Sequence, residues 1–421
     1  MRSFAPDLLT GYLRWTGARA ALARGYWLVT ALYLVVVADL TPFQLVLIGA
    51  FQGITVVVAE VPAGVLADTV GRRFSLVVAH VVMGSGMAMA GLVSTFPLLV
   101  VSQCLWGLGW AFSSGADVAW LTDELGRPEL IDRALTAQAR RDLLGSACGV
   151  VTFGALAWAT RLSTAIVISG IAMVVLGVAV VRRWPETGFV GADASRRWRE
   201  AATIFRRGLR AARADHVIRA VIVATVLVNG GAEAYGRLLE RRLVGLGMPT
   251  SPDPIVWFAA LSLVGLMLGA TVLRVVEGRI DGSGVAQRTY VLSCATGVVG
   301  LLLFAHAPSV AFAVVGAALV SGIAGPVVRV AGTVWVNRRA DSAARATIHS
   351  FLSQAEHVGE IVFGLLLAVV AGVSSTAALT SSAALFACAL WVVARARDMT
   401  AGEGSYRLSR SPRAAGRRAA P

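Results

Sequence analysis

The stretch Glu60-Val-Pro-Ala-Gly64-Val-Leu-Ala-Asp68-Thr-Val-Gly71-Arg72-Arg73-Phe-Ser-Leu76 breaks into a chain that is apolar for long runs on both sides. Two carboxylates, a proline and an arginine pair stand between windows that are each long enough to cross a bilayer. How this interruption divides determines how the rest of the chain is read.

The chain has 421 residues, 57% of them hydrophobic and 15% charged, with a mean hydropathy of +0.72. That is too apolar for an ordinary soluble domain. A transmembrane helix needs about 20 mostly apolar residues to cross about 30 Å of hydrocarbon. Twelve windows meet that requirement: 22–40, 43–66, 76–94, 97–120, 143–160, 162–181, 217–235, 254–273, 288–306, 309–336, 348–372 and 374–394. The expected fold is an all-α integral membrane protein with twelve transmembrane helices.

Charge placement tests the count. All 38 basic residues are arginine. With the N-terminus inside, 33 of them fall in cytoplasmic segments or at the inner ends of spans, 4 fall in outer loops, and Arg329 lies within a span. The bias follows the positive-inside rule and predicts a multi-pass protein of the cell membrane with both termini cytoplasmic. A formal charge of +14 raises nucleic acid as a partner, but arginines beside membrane spans are attracted to anionic headgroups, so no nucleic-acid partner is expected. The first 27 residues lack the compact apolar core and cleavage site of a signal peptide, which makes the first span an expected uncleaved anchor. Cys104, Cys148, Cys294 and Cys388 all lie in apolar spans without metal-type spacing, and neither a metal nor a cofactor is expected.

The longest connection runs from about 182 to 216 and divides the chain into two sets of six spans. The expected organisation is an N-terminal six-helix bundle over 1–181, a cytoplasmic loop over 182–216, a C-terminal six-helix bundle over 217–394 and a disordered basic tail over 395–421. Trp198, Phe205 and Leu209, among seven arginines from Arg196 to Arg213, predict an amphipathic helix on the membrane surface in that loop. An internal repeat supports the division. Pro97, Trp120, Arg133-Ala134, Gly149 and Phe153-Gly154 recur as Pro308, Trp335, Arg345-Ala346, Gly359 and Phe363-Gly364, each about 210 positions on.

Gly64, Asp68, Gly71, Arg72 and Arg73 lie in the loop joining spans two and three. Their residue types, spacing and place in the topology resemble the signature of the major facilitator superfamily, with Thr69 where a basic residue is frequent. The resemblance covers nearly the whole chain, and Glu60-Val-Pro-Ala-Gly64 is similar to a subset of drug-efflux-like members. It implies two pseudo-symmetric bundles, alternating access by rocking of the halves, and a motif that closes the inner gate. From the residues themselves, Gly64 is expected to permit close helix approach and Gly71 a tight turn, while Asp68 can pair with Arg72 four residues on, with Asp123 as a further partner. The alternative is a loop that only fixes topology. Two family features are missing: Gln103 stands where many members have an arginine, and the glycines of span five, Gly145, Gly149 and Gly154, have no following proline.

Ionisable groups deep in a bilayer cost roughly 2.5–3.5 kcal/mol each on insertion scales, so those that persist line a cavity or pair with one another. Gln52, Val56, Glu60, Gly64 and Asp68 form a stripe down span two, with Pro62 as a local break. Carboxyl groups in low dielectric are suited to exchanging protons, which makes Glu60 the first proton-coupling candidate, against a structural hydrogen-bonding role. Asp117, one turn after Ser113, is expected to complement Glu60 or line the inner vestibule. Glu233 either enters the cavity or pairs locally with Arg237. His349, Ser353, Glu356 and Glu360 share a face of span eleven, and Arg329 at similar depth is expected to pair with Glu356 or Glu360.

These readings predict a secondary transporter, sufficient as a monomer, that exports a small organic compound in exchange for protons, with the proton gradient as its energy source. A proton-coupled importer and a non-transporting sensor are the alternatives. A membrane enzyme is disfavoured: the histidines are scattered, and only His357 with Glu360 offers a base and an acid together.

Overall fold

The computed structural model describes residues 4–126, 128–189, 191, 203, 206, 209, 210, 213, 215–279, 283–339 and 342–396. Among them the regular structure is entirely helical. The elements are α1 (Phe4–Val36), α2 (Pro42–Thr69), α3 (Arg72–Leu92), α4 (Phe96–Ser113), α5 (Ala116–Leu125), α6 (Pro128–Ala159), α7 (Leu162–Arg183), α8 (His216–Gly245), α9 (Pro254–Glu277), α10 (Ser283–Ala305), α11 (Val310–Ala317), a π-helical segment (Ala318–Ala324), α12 (Gly325–Arg339), α13 (Ser342–Val373) and α14 (Ser375–Arg395). The predicted surface helix of the central loop and the predicted disordered tail lie outside the described residues, apart from isolated positions.

Local chemistry sets the helix ends. Thr41 caps α2: its hydroxyl accepts the Gln44 N–H at 3.3 Å, Gln44 Oε1 accepts the Thr41 N–H at 2.9 Å, and Pro42 opens the first turn. Asp253 caps α9 through the Ile255 N–H, again just before a proline.

Eleven of the described helical stretches are long and apolar enough to cross a membrane, taking α4 with α5 and α11 with α12 as single spans. α1 falls outside that group because Arg14, Arg19 and Arg24 dilute its apolar residues. It nonetheless packs along α6 and α7 as the twelfth helix of the bundle. The outside of the molecule is apolar. Val58, Leu92, Val175, Met267, Leu292 and Val373 are each at least 60% exposed, as expected of a surface solvated by hydrocarbon.

The predicted fourth span is not one continuous helix. It breaks at Ser114-Gly115, where Gly115 takes φ +74° before α5 begins. The repeat-related tenth span is irregular at the corresponding place by another route, the π-helical segment that ends just before Gly325-Pro326. Pro326 has no N–H to give to the ladder, which favours a change of hydrogen-bond register there.

Glycine contacts make the internal symmetry physical. A Cβ on Gly149 would lie 2.1 Å from the Ala21 carbonyl oxygen, and one on Gly359 would lie 2.2 Å from that of Val226. So α6 sits hard against α1, and α13 hard against α8. Phe153 lies on Gly25 in the first half as Phe363 lies on Gly230 in the second. Between the halves, Gly154 faces Ala259 on α9 and Gly364 faces Ala50 on α2, the same contact with the partners exchanged. The halves meet along α2 with α13 and α6 with α9, and form two pseudo-symmetric six-helix bundles.

Candidate functional site

The α2–α3 loop that opened the sequence reading marks one end of the bundle, the motif end. Gly71 takes φ +147°, so the turn requires glycine, and any Cβ there would also crowd the Glu186 carboxylate at 3.0 Å. Gly64 is different. It is exposed, and nothing lies within 4 Å of the place where a Cβ would be, so close helix approach does not explain it.

Arg72 sits between two carboxylates. Its Nη2 is 3.4 Å from Asp68 Oδ1, and its Nε is 3.1 Å from Asp123 Oδ2, an ion pair rather than an aligned hydrogen bond. Arg73 turns away: its N–H donates to Glu186 Oε1 at 2.8 Å and its Nη1 to the Trp184 carbonyl at 3.0 Å. The strand of chain after α7 is thereby strapped across the motif. Glu124 accepts the N–H groups of Thr187 and Gly188, and Trp120 donates to the Pro185 carbonyl while stacking on Trp184 at 3.8 Å. Tyr12 and Trp15 complete this aromatic cluster. Sequence reasoning missed Trp184 and Glu186, because a loop residue shows no periodicity. The Trp-Pro-Glu run directly after Arg183 was the available signal.

Deeper in the bundle, Glu60 on α2 accepts a hydrogen bond from Gln354 Nε2 on α13, in the other half, and lies 3.5 Å from the Ser114 hydroxyl at the helix break. Among the described residues no basic group lies within 4.0 Å of its carboxylate. Asp117 does not complement Glu60. It pairs with Arg19 of α1 at 3.5 Å, and Arg19 also donates to Ser113 at 2.7 Å while lying 5.4 Å from the rings of Trp15 and Trp110. Counting Arg19 as a loop residue hid this role. Its spacing of four from Trp15 on a helix was the clue. Gln354 carried no signal, since a lone amide on an apolar helix shows no preferred partner.

Towards the opposite end, Glu233 pairs with Arg237 at 2.7 Å, the local pairing considered above. The same guanidinium reaches across the halves to Gln52 Oε1 at 2.8 Å and lies 5.4 Å from the Trp27 ring. Arg241 adds a bond to the Leu40 carbonyl at 2.8 Å. The Glu233 carboxylate occupies the space over Gly49, so a side chain at that position of α2 would displace the Glu233–Arg237 pair.

In the second half, Arg329 and Glu356 line one cavity of about 260 Å³ together with Tyr235, Tyr290, Ser321 and Phe386. The expected ion pair does not form. Neither side chain has an ion-pair partner within 4.0 Å among the described residues. Glu360 is bonded instead to His357 Nδ1 at 3.0 Å, and His349 to Asn337 at 2.6 Å. Glu356 and Glu360 share a helix face, but rotation of α13 brings only Glu356 to the cavity. Asp215, just ahead of α8, is bound by Arg339 at 3.0 Å and by the Val217 and Ile218 N–H groups. Burial opposes its charge, yet these donors together hold its carboxyl below the usual range. Among the described residues no three His, Cys, Asp or Glu side chains gather as a metal site, and the four cysteines are free.

Over residues 17–363 the sequence matches the family model described as the Major Facilitator Superfamily. No curated protein matches the sequence. Among solved structures, the fold is similar to the nucleoside transporter NupG, with a TM-score of 0.71 at 14% identity over 92% of this chain and 97% of that one. It is similar to a bacterial homolog of the human lysosomal transporter Spinster in an inward-facing and occupied conformation, with a TM-score of 0.72 at 12% identity over 94% and 97% of the two chains. It is also similar to the POT family transporter PepTSo, with a TM-score of 0.68 at 15% identity over 94% and 98%. These likenesses are of fold. Family match, apolar helices and shared architecture together make this a multi-pass membrane transporter of small molecules rather than an enzyme, and the chain belongs to the Major Facilitator Superfamily.

Proposed function

We propose that this transporter works by alternating access, driven by the proton gradient of the cell membrane, and exports a small organic compound in exchange for protons with Glu60 as the proton carrier. The observation that supports it is the setting of Glu60. Asp117 and Glu233 are held by arginines, whereas Glu60 is met by the amide of Gln354 and the hydroxyl of Ser114. Protonating Glu60 therefore breaks no ion pair, and an amide can accept from a protonated carboxyl as well as donate to a charged one. Because Gln354 belongs to the other half, the protonation state of Glu60 bears directly on the contact that rocking must remake.

The motif end is taken as cytoplasmic, from the arginine bias of the loops. There Arg72, with Asp68 and Asp123, is proposed as the inner latch. Export rather than import rests on the resemblance of Glu60 to Gly64 to drug-efflux-like members.

Inside-out vesicles with an imposed pH gradient test the proposal. Substrate uptake into such vesicles accompanied by proton release is the expected result. Substrate movement with no proton movement overturns the coupling, movement in the opposite sense overturns export, and no movement at all favours a sensor.

A further inference from the structure

We propose that the cavity of the second half is a binding site for a zwitterion with an apolar body, in which Arg329 takes the anionic group and Glu356 the cationic one. The proposal rests on the transporter reading and names the substrate class. Its starting point is a pair of opposite charges that share a cavity and act on each other across it without closing to an ion pair within 4.0 Å.

Every other charged group given a role in the spans is already engaged: Arg19 with Asp117, Arg237 with Glu233, Glu360 with His357, Glu60 with Gln354. Arg329 and Glu356 alone among these line a cavity with no ion-pair partner of their own. Two such charges at membrane depth are costly unless a ligand or water meets both.

The rest of the wall fits an amphipathic guest. Tyr290 is only 1% exposed, and its hydroxyl lies beside that of Thr225 on the cavity wall without a well-aligned hydrogen bond. A phenol hydroxyl on a cavity wall can both donate to and accept from a ligand. Ser321 is placed on the cavity by the π-helical segment, where its hydroxyl lies 3.4 Å from that of Tyr235. A regular helix would turn the following residues by a different angle, so the register change helps bring Ser321 and Arg329 to the same space. Phe386 and Tyr235 supply aromatic surface for an apolar body.

Selectivity follows from the two charges. Arg329 is exposed to the open cavity and Glu356 is half-buried in its wall, so a ligand with one charge leaves one of them without a partner, and a site built for a polar partner rejects the analogue that lacks it.

The test compares L-phenylalanine with phenethylamine and phenylpropionate, which share an aromatic body and carry both charges, the positive one only or the negative one only. Binding is measured by titration calorimetry on the full chain in nanodiscs, with no pH gradient. Phenylalanine is expected to bind at least about tenfold more tightly than either analogue, the equivalent of one charged hydrogen bond. Arg329→Gln should shift the preference to phenethylamine and Glu356→Gln to phenylpropionate. Equal affinity for the three compounds, failure of phenylalanine to bind the wild-type chain, or a preference untouched by both substitutions would overturn the proposal. The wild-type comparison stands even if a variant does not fold. Loss of charge preference in a chain that still transports removes only the ligand class. Intact charge preference in a chain that transports nothing removes the transport reading and leaves the site.

Discussion

Gly149 lets α6 touch the backbone of α1 at Ala21, and Gly359 lets α13 touch that of α8 at Val226, so the two halves are held together internally by the same device. Their charges are arranged differently. In the first half Arg19 and Arg72 are each bound to carboxylates, and Arg73 is used to strap the chain after α7. In the second, Arg329 and Glu356 share a cavity without pairing. Packing has been kept between the repeats while electrostatics has diverged. The second half has pairs of its own, Glu233 with Arg237 and Asp215 with Arg339, so the difference lies at the one cavity where Arg329 and Glu356 stand apart.

The widest effect is expected where the halves agree. Gly149→Leu and Gly359→Leu each place a side chain on a backbone carbonyl that cannot retreat, and overpacking costs about 1–3 kcal/mol even where neighbours can move. Both should leave little monodisperse protein on size-exclusion chromatography. A well-behaved variant on one side only would break the symmetry argued for the packing.

Next comes the contrast between carboxylates. Glu60→Gln should remove the pH-driven component of transport while leaving substrate exchange without a gradient, whereas Glu356→Gln, at the substrate cavity, should weaken driven transport and gradient-free exchange alike. Paired measurements in proteoliposomes decide it, and full proton coupling in the Glu60 variant would sink its assignment.

Asp68→Asn tests the latch. It weakens one of two carboxylates on Arg72, and a change of about 1.4 kcal/mol in the latched state would slow transport about tenfold. Membrane insertion, read by surface labelling, should be unchanged. Normal transport in this variant would reduce the motif to a topological turn.

The smallest effect is expected at Asp215, the cap of α8. Asp215→Ala should lower stability by about 1 kcal/mol. Because the native carboxyl is held below its usual range, its contribution is present at neutral pH and fades as pH falls through that lowered value. Thermal melts of wild type and variant should therefore converge in acid. A gap that persists there would assign the effect to packing instead.

Much of the architecture could be read from local pattern. Windows of apolar residues mark the spans, and the repeated glycines and the Phe-Gly pairs mark the two halves, though not which helices they pack against. The break in the fourth span was less visible, since Ser114-Gly115 is a modest signal inside an apolar run and only the glycine's positive φ makes it a turn. Gly64 shows the opposite error: a glycine in a motif invites a packing role that its open surroundings do not support.

The opening stretch illustrates the division. Its composition was enough to place Glu60 and Pro62 in a membrane helix and a turn near Gly71, because hydropathy and turn chemistry act over a few residues. The loop is shorter than the motif, however: Asp68 still belongs to the end of α2, and Arg72 and Arg73 open α3. Composition could not say that Glu60 would meet Gln354, that Asp117 would find Arg19, or that Arg329 would miss Glu356. Those outcomes depend on how far each helix is rotated about its axis and tilted against its neighbours. Rotation and tilt are decided by side chains on several other helices at once, so they belong to the assembled bundle and not to any one segment.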